Sequence, residues 1–240
     1  MGYVSRNSTT LPEFIGPDFS GFVELSKVHK DSWGLALDNG QSILLAKKAE
    51  TALVDPNFAT TVNSRESDGG LLHFRWASPG LGVNDSNAHP FAYQDISLIH
   101  NGAIMPYDSL EPLVAPEFLA LREGKTDTEL YFLFLLTQIS QCGFLEGVNS
   151  TISIIREKFR YSSINSMIMN KDYLVVISEH DPQNKPEWAD EVYYELRYRA
   201  DQNGLAVASS GWNQEGWELL PNHSRLIYNR RDFTYSVSSL

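Results

Sequence analysis

Cysteine is nearly missing from this chain, with Cys142 alone among 240 residues. One cysteine can form neither an intrachain disulfide nor a cysteine-based metal site. Long apolar runs are missing too, because no stretch approaches the roughly 20 residues that a membrane helix needs. The first ten residues also lack the apolar core of a secretory signal. We therefore expect a cytoplasmic protein without membrane contact.

Basic residues are scarce as well. The chain carries 19 lysines and arginines against 30 acidic residues, which gives a formal net charge of −11. A surface of this sign repels a phosphate backbone, so nucleic acid is not an expected partner. A phosphate-binding loop, a dinucleotide fingerprint and the Gly-x-Ser-x-Gly elbow of α/β-hydrolases do not occur either.

The rest of the composition is typical of a folded globular chain, with 42% hydrophobic and 12% aromatic residues. Neither an internal repeat nor a low-complexity linker divides the sequence, so we predict a single domain over residues 1–240. Residues 181–190 (DPQNKPEWAD) are the best candidate for an exposed loop.

The order of predicted elements is strands, two helices, then strands. The first helix begins at the capping-box pattern Thr126-Asp127-Thr128-Glu129, and the second covers residues 147–159. Short helices or irregular cover are expected over residues 57–63 and 108–121, whereas residues 11–26 give only weak helix signals. Strands are predicted over residues 2–5, 33–37, 41–46, 70–76, 96–100, 164–169, 173–178, 192–199, 205–209, 219–229 and 233–237, with a hairpin turn at Asp38-Asn39-Gly40. This order favours a layered α+β domain with two sheets over alternating βαβ units.

Residues 73–102 carry the most concentrated chemistry. Two strands in this stretch end beside polar groups and are joined by a loop over residues 78–90. Asn101-Gly102, after the second strand, has two interpretations. It is a common hairpin turn, or it is an oxyanion hole in which the glycine N–H and the asparagine side chain both donate to a developing negative charge.

Four motifs in order resemble those of one family. Residues 73–78 (HFRWAS), 87–91 (NAHPF), 100–102 (HNG) and 124–129 (GKTDTE) resemble successive motifs of the class II glutamine amidotransferases, which belong to the N-terminal-nucleophile hydrolase superfamily. Residues 31–34 (DSWG) are similar to the Asp-Gly-Trp-Gly of the stand-alone branch of that family. The resemblance spans nearly the whole chain and implies a four-layer αββα sandwich, in which helices cover two antiparallel sheets.

The resemblance also implies residue roles. Arg75 would bind the α-carboxylate of glutamine through its planar fork, and Asp127 would bind the α-ammonium group. The remaining implied site residues are Asn101 and Gly102 for the oxyanion, and Trp33 and His89 for substrate. Taken alone, Arg75 could be a surface strand residue and Asp127 a helix-start charge favoured by the helix dipole. Trp33 could equally be a core residue.

Neither a metal nor a cofactor is expected. His73, His89 and His100 fall near the implied site, but they lack the i, i+4 spacing of helical metal motifs. Histidines at strand ends more often form hydrogen bonds with neighbouring backbone groups.

The nucleophile departs from the family pattern. In the family it is a cysteine at the mature N-terminus, whose own α-amine serves as the base. Here Gly2-Tyr3 resembles the family's Gly-Tyr that lies a few residues after that cysteine, so we expect the sequence to start just downstream of the nucleophile. Cys142 is not expected to replace it, because it ends the first long helix and should pack as a small apolar side chain.

Three functions remain open. The first is an active glutamine amidotransferase or glutaminase whose cysteine precedes the sequence as written. The second is a pseudoenzyme that binds an amino acid or a γ-glutamyl ligand without cleaving it, and the third is a non-enzymatic interaction protein on the same fold. The expected ligand is glutamine or a γ-glutamyl small molecule, and a separate synthase subunit could receive the ammonia.

Overall fold

A computed structural model describes residues 1–38, 40, 42–78, 80–187 and 189–240. In this part of the chain thirteen strands form two antiparallel sheets. The strands are β1 (Gly2–Thr10), β2 (Ser32–Asp38), β3 (Ile43–Lys48), β4 (Glu66–Arg75), β5 (Phe91–Tyr93), β6 (Ile96–Met105), β7 (Arg160–Met169), β8 (Tyr173–Ser178), β9 (Leu196–Asp201), β10 (Gly204–Ser209), β11 (Glu218–Leu220), β12 (Ser224–Asn229) and β13 (Thr234–Ser239). The first sheet has the order β11-β9-β10-β1-β4-β2-β3, and the second has the order β13-β12-β8-β7-β6-β5.

Helices cover the outer face of each sheet. They are α1 (Leu11–Ile15), α2 (Asp18–Glu24), α3 (Pro56–Ser64), α4 (Pro116–Leu119), α5 (Asp127–Cys142) and α6 (Phe144–Lys158). Apolar residues of α1, α2 and α3 pack on the first sheet, those of α5 and α6 pack on the second, and a third apolar layer lies between the sheets. These three layers confirm the predicted αββα sandwich. In the described part of the chain, no helix is long and apolar enough to cross a bilayer.

Strand β8 shows how the sequence encodes this layering. Leu174 and Val176 point into the layer between the sheets, whereas Val175 and Ile177 point toward α5 and α6. Because successive side chains of a strand face opposite sides, a strand that is covered on both faces is apolar at every position.

The predicted helices are confirmed, with α5 beginning where the capping pattern indicates. The Thr126 hydroxyl accepts a hydrogen bond from Glu129 N at 3.1 Å. In a capping box the glutamate side chain accepts from the backbone N–H of the capping residue. The Glu129 carboxylate instead accepts from Glu123 N and Gly124 N, both at 2.7 Å. The cap therefore orders the loop that precedes the helix as well as its first turn.

Some strand and turn predictions were wrong in part. The predicted strand 219–229 is two strands in different sheets, because His223 has a φ of 61° between β11 and β12. The predicted strand 192–199 begins only at Leu196. Strand β6 continues through Asn101-Gly102 to Met105, so the hairpin-turn interpretation of that pair was wrong.

A few predicted features include residues outside the described part of the chain. Asn39 belongs to the predicted hairpin turn, and Gln41 begins the predicted strand 41–46. Pro79 belongs to the predicted loop 78–90, and Trp188 to the predicted loop 181–190.

A buried arginine joins the two sheets. The Arg230 side chain, 5% exposed, donates to the carboxylate of Asp38 at the end of β2 and to Asp68 Oδ1 in β4 at 2.7 Å. It also donates to Asn170 O, between β7 and β8, at 2.6 Å. The guanidinium thus links strands of the first sheet to the second.

We expect Arg230→Ala to lower the free energy of unfolding by about 3–5 kcal/mol, because it leaves the buried Asp38 carboxylate without its partner. Urea denaturation followed by circular dichroism measures this change. Arg231→Ala is the matched control, since the Arg231 side chain is 71% exposed and pairs with Asp172 at the surface. Equal midpoints for the two variants would contradict the structural role of Arg230.

Candidate active site

A cavity of about 660 Å³ is lined by residues of β4, β6, β7 and α5. Residues 184–186 and 193–194 close another side of it. Five of the six residues predicted for the site line this cavity, namely Arg75, His89, Asn101, Gly102 and Asp127. The fold therefore brings together groups that lie up to 52 residues apart in the sequence.

Arg75 is the last residue of β4 and is 4% exposed. Its Nη1 donates to Gly82 O at 3.3 Å, and its backbone carbonyl accepts from Asp31 N at 3.0 Å. Burial lowers the pKa of Arg75, and the nearby Asp31 and Asp127 carboxylates oppose that shift. An arginine keeps its proton under such a shift, so a buried cation faces the cavity.

Asp127 is the first residue of α5 and is also 4% exposed. Its Oδ2 accepts a hydrogen bond from Ile104 N, in β6, at 2.8 Å. Burial raises the pKa of Asp127, while His100 and backbone N–H groups, that of Ile104 among them, pull it down. The carboxylate is thus anchored to the second sheet through one oxygen.

The two charges face one cavity without neutralising each other. Among the residues that the structure describes, neither Arg75 nor Asp127 has an ion-pair partner within 4 Å. A buried charge without a counterion is costly, and a ligand that carries both signs would compensate both at once. The free amino-acid head group is such a ligand.

Asn101 and Gly102 lie side by side in β6, opposite Asn165 and Ile164 of β7. The φ of Gly102 is 144°, and a Cβ at this position would lie 2.1 Å from Ser163 O. Both the backbone conformation and the space therefore require glycine. The next residue, Ala103, donates its N–H to Ser162 Oγ at 3.1 Å, which holds the strand against β7.

Trp33 does not line the cavity. Its indole is 2% exposed, donates from Nε1 to Asp55 Oδ2 at 2.9 Å and packs against Phe58 with ring centroids 5.3 Å apart. The side chain points toward α3 and belongs to the apolar layer behind the first sheet. These surroundings are those of a core residue, which is the second of the two interpretations given for Trp33.

His89 lies in the cavity wall beside His73, with ring centroids 4.3 Å apart. Burial lowers the pKa of each imidazole well below its ordinary value, so both are neutral at pH 7. The His89 carbonyl packs directly on Gly34, where an added Cβ would lie 2.0 Å away. This contact explains why the tryptophan of residues 31–34 is followed by glycine.

His100 joins three elements behind the cavity. Its Nε2 lies 3.0 Å from Ser163 O, and its Nδ1 lies 2.9 Å from Thr128 Oγ1. Because a carbonyl only accepts, Nε2 carries the proton, and Nδ1 accepts from the threonine hydroxyl while the ring is neutral. In the described part of the chain, no cluster of three histidine, cysteine or acidic residues could hold a metal ion.

An aromatic wall was missed by sequence reasoning. Trp76, Tyr193 and Tyr194 line the cavity, and Tyr194 Oη donates to Ser162 Oγ at 3.0 Å. The Tyr-Tyr pair falls inside the predicted strand 192–199 but lies in a turn before β9. Its position depends on contacts with β7, a distant segment, so local periodicity carries no signal for it.

Cys142 lies far from these groups. It is exposed at the end of α5, and its Sγ donates to Gln138 O at 3.1 Å. It lies fifteen positions after Asp127 in the same helix, which corresponds to about 22 Å along the helix axis. The expectation that this side chain packs as a buried apolar group was wrong, because the last turn of α5 extends beyond the core.

The model of one protein family, described as class II glutamine amidotransferases, matches residues 7–186, well over half of the chain. The chain belongs to the class II glutamine amidotransferases. An uncharacterized protein of Methanocaldococcus jannaschii is 24% identical over 248 residues, which cover 92% of this chain and 67% of that protein. A probable glutamine amidotransferase of Saccharomyces cerevisiae is 27% identical over 104 residues, which cover 42% of this chain and only 29% of that protein.

A solved structure shares the fold of this chain. It is a glutamine aminotransferase class-II domain protein from Silicibacter pomeroyi, with a TM-score of 0.71 over 99% of this chain and 97% of that one. The two sequences are 18% identical, so the likeness concerns the fold alone. The amidotransferase motifs at residues 73–78, 87–91, 100–102 and 124–129 all contribute residues to the cavity or to the loops that border it.

We expect Gly102→Ala to destabilise the protein by about 2–4 kcal/mol, because the methyl group would overlap Ser163 O and the backbone conformation is unfavourable for alanine. Gly143→Ala is the matched control, since Gly143 also has a positive φ, 84°, but an added Cβ there meets nothing within 4 Å. The control should lose only about 1–2 kcal/mol. Urea titration of both variants measures the free energy of unfolding. Equal losses of stability would mean that Ser163 moves away from the added methyl group at little cost.

Proposed function

We propose that this amidotransferase hydrolyses the side-chain amide of glutamine or of a γ-glutamyl compound. One observation carries the proposal: buried Arg75 and Asp127 face the same cavity, unpaired among the described residues, beside Asn101 and Gly102. A cytoplasmic location and a single domain over residues 1–240 belong to the same proposal.

Arg75 and Asp127 would bind the two ends of the amino-acid head. The planar guanidinium matches a carboxylate with two parallel hydrogen bonds, which an ammonium group of lysine cannot reproduce. The Asp127 carboxylate already accepts from Ile104 N through Oδ2, so the α-ammonium group would approach its other oxygen. Fixing both ends orients the side-chain amide, and such orientation lowers the barrier of the chemical step.

Asn101 and Gly102 would stabilise the tetrahedral intermediate. A thiolate attacks the amide carbon, the carbonyl oxygen becomes an oxyanion, and the Asn101 side chain and the Gly102 N–H donate to it. Collapse of the intermediate breaks the C–N bond and releases ammonia or an amine, and water then hydrolyses the thioester to glutamate. Removing one donor of this kind lowers the turnover rate by about 10²–10³-fold.

We propose further that the thiol belongs to a cysteine joined ahead of Met1. The pairing of β1 with β4 supports this idea, because Gly2 lies opposite Leu71 and Met1 exchanges both backbone hydrogen bonds with Leu72. A strand continued in the same register would bring the third residue ahead of Met1 opposite Arg75. Its side chain would then be close to the head-group site.

The ammonia acceptor is open in this proposal. A separate synthase subunit could receive the ammonia, or the released amine could be the product of a simple hydrolysis. A catalytically inactive ligand-binding protein is the second candidate, favoured by the distance of about 22 Å along α5 between Asp127 and the sole cysteine of residues 1–240.

Binding of glutamine tests the head-group assignment without any requirement for turnover. We expect weak, millimolar binding by the 240-residue chain, and its loss in Arg75→Ala and in Asp127→Ala, since removing one buried charged partner costs about 2–5 kcal/mol. Ligand-observed NMR measures it, with the surface variant Arg231→Ala as control. Unchanged binding in the two cavity variants would show that glutamine is held elsewhere.

Ammonia release separates the two candidate functions. The 240-residue chain should release ammonia from glutamine no faster than buffer, whereas a version with a processed Cys-x-x sequence ahead of Met1 should reach an enzyme-like rate, on the order of 1 per second or more. Replacing that cysteine by serine is the control. A folded, processed and still inactive extension would favour the ligand-binding protein.

A further inference from the structure

Asn87 lies between the two chain segments that carry the head-group charges. It is 2% exposed and ends the short turn Asp85–Asn87 before residues 88–90. Its backbone N–H donates to Asn84 Oδ1 at 2.9 Å, so the turn itself holds the residue in place. Its side-chain amide is thus free to serve other segments.

One end of this amide reaches the Arg75 side. Asn87 Nδ2 donates to Gly82 O at 2.9 Å, and the same carbonyl accepts from Arg75 Nη1 at 3.3 Å. Asn87 holds the Gly82 carbonyl in place, and that carbonyl is the acceptor for Arg75. The asparagine therefore restricts where the guanidinium can lie.

The other end reaches the Asp127 side. Asn87 Oδ1 accepts from Lys125 N at 3.0 Å, two residues before Asp127. The loop is packed tightly there, since a Cβ on Gly124 would lie 2.4 Å from Asn87 Oδ1 and 3.0 Å from Glu129 Oε2. Because residue 124 is glycine, the side chains of Asn87 and Glu129 can both lie against the loop that precedes α5.

We propose that Asn87 is a positioning residue, which sets the spacing between the Arg75 guanidinium and the Asp127 carboxylate. It touches neither the ligand nor the reacting atoms, and it acts by tying the loop after β4 to the loop before α5. The inference rests on the proposed function, because the spacing matters only if these two charges bind one amino-acid head. Its consequence is selectivity for the L-configuration, because the α-carboxylate at Arg75, the α-ammonium group at Asp127 and the side-chain amide in the cavity make three contacts that only one enantiomer can make at once.

The effect of losing this link is predictable. Asn87→Ala removes two side-chain hydrogen bonds and should raise the Kd for L-glutamine about tenfold. D-glutamine can make only two of these three contacts at once, so its weaker binding depends less on the spacing of the two charges and should change less. The ratio of the two dissociation constants should therefore fall, which a merely structural defect would not cause.

NMR titrations of L- and D-glutamine into the 240-residue chain and its variants test the inference. Asn170→Ala is the control, because Asn170 is also buried and its Oδ1 accepts from Asp172 N and Tyr173 N in a turn outside the cavity. That control should keep the enantiomer ratio of the wild type. Gly124→Ala should imitate Asn87→Ala by displacing the amide, and the double variant should bind no more weakly than Asn87→Ala alone.

Each result has one meaning. A fall in the enantiomer ratio in Asn87→Ala and Gly124→Ala supports the inference. An unchanged ratio, or equal weakening of both enantiomers, overturns it while leaving Arg75 and Asp127 as head-group residues if their own variants abolish binding. Failure of the wild-type chain to bind L-glutamine at all would overturn the proposed head-group recognition, and this inference with it.

Discussion

The geometry of the cavity depends on how the first turns of α5 are fixed to the second sheet. Three buried polar contacts do this: Asp127 Oδ2 with Ile104 N at 2.8 Å, Thr128 Oγ1 with His100 Nδ1 at 2.9 Å, and Tyr131 Oη with Ser166 Oγ at 3.0 Å. Each would cost free energy if one partner were lost, because the remaining group would stay buried without a hydrogen bond. The helix therefore has one orientation on the sheet, and Asp127 has one place in the cavity.

His100 is central to this arrangement because it connects β6, β7 and α5 with one ring. Burial lowers the pKa of His100, although the Asp127 carboxylate opposes the shift. The neutral ring is the form that fits both neighbours, since Nε2–H donates to Ser163 O while Nδ1 accepts from Thr128. Ser163 O is also the atom that excludes a side chain at position 102, so the same carbonyl fixes the histidine and requires the glycine.

The parts of the fold that could be predicted are those with local signals. The cap at Thr126 and the apolar strands β7 and β8 depend on residues a few positions apart. The split of residues 219–229 could not be read from periodicity, since the apolar pattern resumes after the turn at His223 in another sheet. Arg75 and Asp127 were found through ordered motifs, but Asn87 was not given a role, because its Oδ1 partner Lys125 lies 38 residues away.

Arg75 and Asp127 attract each other, and the fold prevents them from closing into an ion pair. Arg75 ends a strand of the first sheet, and its guanidinium is held by Gly82 O, whereas Asp127 begins a helix on the second sheet and is held by Ile104 N. Packing of the two sheets separates the charges, and neither side chain can move toward the other without losing a hydrogen bond. An ion pair between them would fill the cavity with the protein's own charges. Because these contacts keep the two charges apart, the free-energy cost of removing both from water is incurred during folding. A zwitterionic ligand then finds both partners already oriented.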